Sequence, residues 1–215
     1  MNDRVLTIVG AGKGISNAVA HRFAREGYDV GLVARNVGKL APTVEAVRGL
    51  GRRCAVASAD AADAPALRAA IAALEGELGP TQVLLFNAAN IRQGLLLDED
   101  ADSLTADFRA NVAAVLTAVR AVVDAMRPGA ASILVTGGGL AMHVMPQWAS
   151  LGVSKVALRG FTDNLRHVLD ERGIFVGTLQ VCGAVDGGDP QYASDHLAGE
   201  FWRMHVARGP WEIVI

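Results

Sequence analysis

Three glycines fall within seven residues, Gly10-Ala11-Gly12-Lys13-Gly14-Ile15-Ser16, directly after the apolar run Val5–Val9. Glycine lacks the Cβ that holds a backbone away from a ligand, so this spacing lets the chain turn sharply and approach a phosphate. A helix opening at Ile15, with Ile15, Val19 and Phe23 on its buried stripe, would aim its first N–H groups and its positive dipole end at that anion. A tight strand–helix turn without a ligand would use the same glycines. The second apolar run ends Val33-Ala34-Arg35. An acidic residue there would accept hydrogen bonds from a ribose 2′-hydroxyl. Arg35, with Lys13 expected on the same side, instead suits a 2′-phosphate, which favours NADP(H) over NAD(H). A solvated strand-end arginine is the plainer reading of Arg35.

The elements that must carry these residues alternate along the whole chain. Apolar runs read as strands at Val5–Val9, Val30–Ala34, Cys54–Ala59, Val83–Phe86, Ser132–Thr136, Phe175–Val181 and Glu212–Ile215. They are short and continuously hydrophobic, as in a parallel sheet buried on both faces. Between them the period is helical. Leu67, Ile71, Leu74 and Leu78 form one stripe, with Asp63 as the expected cap and Pro65 in the first turn. Leu104, Phe108, Val112, Val115, Val119 and Val122 form a longer one, within a helix expected over 101–127. This alternation predicts an α/β fold: a Rossmann-type doubly wound parallel sheet of about seven strands, with helices on both faces. Residues 1–215 read as a single domain, with a short substrate-side segment at about 183–211.

Composition narrows the classes further. With 51% hydrophobic and 20% charged residues and a net charge of −2, the 215-residue chain has the profile of a globular domain. Neither a basic patch nor an aromatic platform points to nucleic acid. No apolar run reaches the roughly 20 residues of a membrane span, since Arg120 and Asp124 interrupt the best candidate. The start Met1-Asn2-Asp3-Arg4 leaves no room for a signal peptide, so a cytoplasmic location is expected. Cys54 and Cys182, each placed in a buried strand, read as small core residues, with no metal spacing around them.

With the glycine turn placed in the first strand–helix unit, the chain resembles the short-chain dehydrogenase/reductase family over nearly its whole length. Gly10-x-x-x-Gly14-Ile15 is similar to the family's cofactor turn, with Ser16 in place of its last glycine. Asp60-Ala61 resembles the adenine contact, and Phe86-Asn87-Ala88-Ala89 the family's Asn-Asn-Ala-Gly stretch. Asn111 stands where the family holds a water of its proton relay. Lys155 matches the lysine of Tyr-x-x-x-Lys, which binds the nicotinamide ribose, and Gly183-x-Val185 resembles the turn that meets the carboxamide. The resemblance implies a cofactor set of Gly10, Gly12, Lys13, Gly14, Ile15, Arg35, Asp60, Ala61, Asn87, Ala88, Ala89, Lys155, Gly183 and Val185. It also implies a homodimer or homotetramer built on the helices at 101–127 and 149–170, with Glu212–Ile215 at a second interface.

Two positions depart from the family pattern. Counting back from Lys155 places Leu151 at the proton-donating tyrosine and Gly138 at the substrate-orienting serine. Tyr28 and Tyr192, the chain's two tyrosines, lie elsewhere. His143, in the loop after the fifth strand, is a candidate replacement acid, and a solvent-exposed loop histidine is its plainer reading. Trp148 reads as a pocket wall or a packing residue, because an indole N–H is not released. Ser150 points about 100° away from Leu151 around the helix. The expected catalytic set is therefore Lys155, Asn111 and His143. Two functions remain: hydride transfer to or from a small carbonyl or activated C=C substrate with a non-standard proton source, or a catalytically inactive cofactor-binding sensor or scaffold. An activated C=C bond suits this pattern better than a ketone, since water can finish its protonation. The lid over the substrate, Asp186 to Ser194, is short.

Overall fold

The computed structural model describes residues 4–215. The expectation drawn from Met1–Asp3, that no leader precedes the first strand, lies outside the described residues. The strands are β1 Val5–Val9, β2 Asp29–Ala34, β3 Cys54–Ser58, β4 Val83–Phe86, β5 Ser132–Thr136, β6 Phe175–Gln180 and β7 Glu212–Val214. The helices are α1 Ile15–Arg25, α2 Ala41–Gly49, α3 Ala64–Leu78, α4 Ala101–Phe108, α5 Ala114–Val122, α6 Ala149–Asp170 and α7 Ser194–Ala207.

All pairings are parallel, in the order β3-β2-β1-β4-β5-β6-β7. The chain winds outward from β1 to β3 and then in the opposite direction from β4 to β7. The strand order therefore reverses between β1 and β4, and a crevice opens beyond their carboxyl ends. Val9 is paired with both Val33 and Phe86, so Gly10, Ala34 and Asn87 emerge together at that crevice.

The period of two along each strand divides the core into two layers. Val5 and Val9 pack with Leu67, Ile71, Val115 and Val119 on one face. Leu6 and Ile8 pack with Val19, Phe23 and Phe201 on the other. Asp63 caps α3 as expected, its Oδ1 accepting the Ala66 N–H at 3.0 Å, a bond worth about 1 kcal/mol.

Local expectations are corrected at three places. β3 stops at Ser58 and lies at the sheet edge, so Val56 is 42% exposed rather than buried on both faces. β6 ends at Gln180, and the chain leaves the sheet before Cys182, which is exposed. Cys54 is buried, and burial pushes its thiol up to about 11, in keeping with a packing role. The helix expected over 101–127 is interrupted by a π-helical turn, Arg109–Ala113. The wider turn sets the preceding residues back by one position relative to the α-helical phase. Asp107 therefore faces inward and Phe108 is 40% exposed.

Candidate active site

The crevice begins at the glycine turn. Gly10 has φ +84°, and a Cβ built on it would stand 2.3 Å from the Ala88 backbone nitrogen and 2.4 Å from its Cα. The β1 turn and the β4 loop thus touch backbone to backbone, and the Asn87 side chain ties them by donating to the Gly10 carbonyl at 3.1 Å. Gly14, at φ +76°, precedes the first residue of α1, and no side chain caps that helix. Its first turn is open toward the crevice, as an anion cradle requires. Gly12 is different: a Cβ there meets nothing within 4 Å. Its N–H instead donates to Ser16 Oγ at 2.8 Å, and Ser16 Oγ donates back to the Gly12 carbonyl at 3.0 Å. Ser16 is thus a clasp on the turn.

Two cavities flank this contact. Gly10, Arg35, Asp60, Ala61 and Ala88 line the first. Lys13, Gly14, Ile15, Lys155, Gly183 and Val185 line the second, of about 570 Å³. Asn87 and Ala89 border both. The expected cofactor residues are thus gathered along one trough, except Gly12, which lines neither cavity. Arg35 and Lys13 are both exposed, but they border different cavities rather than one side of a single site. Two left-handed glycines, a close backbone approach and an uncapped helix start fit a dinucleotide. The residues that would hold it are those of the two cavity walls.

Lys155 stands half-buried on α6, its Nζ donating to the Thr136 carbonyl at 2.9 Å. Burial lowers its ammonium to about 8. Leu151 lies one turn earlier on the same face and is buried in the cavity wall. A Cβ on Gly138 would be 3.5 Å from Lys155 Cε, an ordinary contact. Gly137 is more constrained, because its Cβ would lie 2.1 Å from Gln180 Oε1. That oxygen accepts the Gly138 N–H at 2.7 Å, while Gln180 Nε2 donates to Glu212 Oε1 at 2.9 Å. Glu212 is held in turn by Arg159, whose two hydrogen bonds draw its carboxyl below the usual range. β6 and β7 together therefore pin the glycine segment.

Asn111 is buried in the π turn and lines neither cavity. Its Oδ1 accepts the Asn90 N–H at 2.6 Å, so it shapes the loop after β4. His143 is exposed and borders neither cavity. Trp148 precedes the first turn of α6 and walls a separate apolar groove with Leu96 and Val156. Tyr192 folds back over Gly183, where a Cβ would meet its ring at 2.1 Å. Asp186 N–H donates to the Tyr192 carbonyl and Asp186 Oδ1 accepts the Ser194 N–H, which closes the segment 186–194 on itself.

One buried network carries no signature in the sequence. Asp107 accepts from Ser150 Oγ at 2.5 Å, from Arg92 Nε at 2.7 Å and from Asn90 Nδ2 at 3.3 Å, while Arg92 also pairs with Glu99. It fastens the loop after β4 to α4 and to the start of α6. An inward Asp107 follows from the π turn, which periodicity does not reveal.

With fold and site in view, similarity to known proteins assigns the class. The short chain dehydrogenase family matches residues 4–190. The chain is 31% identical over 172 residues to the 2,3-dihydro-2,3-dihydroxybenzoate dehydrogenase of Bacillus subtilis, covering 80% of this chain and 66% of that enzyme. It is 26% identical over 177 residues to a short chain dehydrogenase of Pseudocercospora fijiensis, covering 81% of this chain and 57% of that one. In both comparisons it spans less than two thirds of the relative's length. A solved short chain dehydrogenase of Burkholderia cenocepacia in complex with NADP superposes with a TM-score of 0.86 at 28% identity, covering 99% and 95% of the two chains. A short-chain dehydrogenase/reductase of Serratia marcescens gives 0.90 at 25% identity, covering 100% and 96%. This chain belongs to the short-chain dehydrogenase family, whose members bind nicotinamide cofactors and small-molecule substrates. No helix among the described residues is long and apolar enough to cross a membrane.

Proposed function

We propose that this protein is an NADP(H)-dependent oxidoreductase acting on a small carbonyl or activated C=C substrate, with a proton source other than the family's tyrosine. The observation that carries the reading is Lys155, fixed to the Thr136 carbonyl on the wall of a cavity continuous with the dinucleotide trough. When bound, the cofactor would supply or accept hydride at the nicotinamide end of that trough. The chain's own residues do the rest. The open start of α1 and Gly14 receive the pyrophosphate, Lys155 holds the nicotinamide ribose, and Leu151 with Leu140 and Ile91 lines the reacting face with hydrocarbon. Arg35 on the first cavity, and the NADP complex of the Burkholderia relative, favour the 2′-phosphate. Exposed Leu116, Val153 and Val156 on α5 and α6 support a homo-oligomer.

Titration with NADPH and NADH, followed by nicotinamide fluorescence, tests the cofactor. Arg35→Ala is expected to weaken NADPH about 10- to 100-fold, toward the NADH level. Equal binding of both nucleotides by the unaltered protein, or an Arg35→Ala variant that binds NADPH unchanged, would overturn the preference. The pairing of Gly138 with Leu151 supports a second reading, a cofactor-binding sensor without turnover. That reading holds if NADPH binds tightly and is oxidised by no enone, ketone or quinone.

A further inference from the structure

We infer that Lys155 is itself the group that gives a proton to, and takes one from, the substrate oxygen in this protein. The inference rests on the oxidoreductase reading above and assigns the proton source that it leaves open.

The wall of the second cavity leaves few other groups. Among the described residues lining it, Thr136 bears the one hydroxyl, and its Oγ1 is buried without a hydrogen-bond partner rather than presented to the cavity. Lys13 is exposed on the glycine turn. Asp186 is engaged with the Ser194 N–H, and its other oxygen lies 3.8 Å from where a Gly14 Cβ would stand, on the glycine turn. Asn87 is neutral, as is Asn111, which is engaged with Asn90 behind the wall. Arg159, a turn beyond Lys155 on α6, is bound to Glu212. Asp107, from α4, is bound to Arg92 and Ser150.

The geometry around the amine is open where a hydroxyl relay would stand. Gly138 has no side chain, and the place of its Cβ is 3.5 Å from Lys155 Cε. Leu151 offers only hydrocarbon one turn earlier on the helix. An ammonium has three N–H donors, and the Thr136 carbonyl takes one, so two remain for a ligand. Burial alone, with no carboxylate neutralising it, brings this ammonium to about 8. A solvated lysine near 10.4 holds its proton too tightly for efficient transfer at neutral pH, whereas a desolvated one is a working acid. In a carbonyl reduction, bound reduced cofactor would supply hydride to the substrate carbon, and the electrons of the C=O π bond would pass to the oxygen. The substrate oxygen receives the proton as the Lys155 N–H bond breaks. The neutral amine then recovers a proton from water.

The test uses the full chain, saturating NADPH, and cyclohex-2-enone and 9,10-phenanthrenequinone as acceptors. Arginine keeps the charge and donors of Lys155 but does not release a proton. Lys155→Arg is therefore expected to bind NADPH within about 3-fold of the unaltered protein and to lose about 10²-fold or more in kcat, with little change in KM. The unaltered kcat for reduction should fall as pH rises through about 8. The sequence contains three lysines, Lys13, Lys39 and Lys155, so 15N NMR of lysine-labelled protein can follow each amine. Lys39→Arg serves as the control. A Lys155 midpoint matching the kinetic one supports the assignment. A kcat for Lys155→Arg close to the unaltered value, or a Lys155 midpoint at the value of a solvated lysine, overturns it while leaving the oxidoreductase reading intact. NADPH binding with no turnover of either acceptor by the unaltered protein removes both.

Discussion

Gly10 and Gly12 belong to the same motif, yet their geometry predicts different fates for an added methyl group. In Gly10→Ala the new Cβ would lie 2.3 and 2.4 Å from backbone atoms of Ala88, and the residue would be held at φ +84°. Left-handed backbone costs an L-residue about 1–2 kcal/mol. Overpacking against a backbone that cannot swing aside costs about 1–3 kcal/mol more. The expected loss is therefore about 2–5 kcal/mol, a fall of about 1–3 M in the urea midpoint for a domain of ordinary m-value. NADPH binding should fail as well, because relief of the clash separates the β1 turn from the β4 loop. In Gly12→Ala the Cβ meets nothing within 4 Å and the Ser16 clasp uses only backbone atoms of residue 12, so the change should stay within about 0.5 kcal/mol. Gly14→Ala, strained at φ +76° but with its nearest contact at 3.7 Å, should fall between the two. Urea unfolding with NADPH fluorescence on the three variants decides the matter. Equal losses at Gly10 and Gly12, or a silent Gly10→Ala, would refute the close-approach account.

Two further outcomes are expected. On the Lys155→Arg background, the Gly138→Ser/Leu151→Tyr pair, in which serine needs only the open space beside residue 155, should recover about 10²-fold in phenanthrenequinone reduction; an unchanged kcat would count against the proposed correspondence of these positions. His205, buried between Tyr28 OH and Ser132 Oγ at 2.8 Å each, is lowered to about 4 by burial first and then by Arg208 and Arg4. The native state thus takes up fewer protons than the unfolded chain, in which histidine titrates near 6.5. The stabilisation is complete above that value and is lost as pH falls toward 4, by up to about 3 kcal/mol. Urea midpoints at pH 7 and pH 5 should differ in the unaltered protein and converge in His205→Gln; an unaltered protein equally stable at both would refute the assignment.

The sequence alone determined the features that depend on near neighbours. Apolar runs alternating with helical stripes determined the α/β winding. The Asp63–Pro65 start of α3 and the glycine turn after β1 were legible because a cap and a strand–helix turn are built from residues a few positions apart. The parallel winding then placed Arg35, Asp60 and Asn87 at one crevice, since each follows a strand whose carboxyl end faces the same way. Other features were settled only in three dimensions. Gly10 and Gly12 are alike in sequence and differ because Ala88 approaches one of them. The π turn set back the phase of a stripe that periodicity would continue, which turned Asp107 inward against Ser150, 43 positions away. Gln180 reaches the Gly138 N–H from 42 positions away, and Cys182 is exposed because β6 ends before it. His143 belongs to the expected loop but borders neither cavity, since the path of a loop is set by what packs beneath it. Chain-neighbour forces determine which elements form. Contacts between elements far apart in the chain determine which side chains meet, and with them the chemistry of the site.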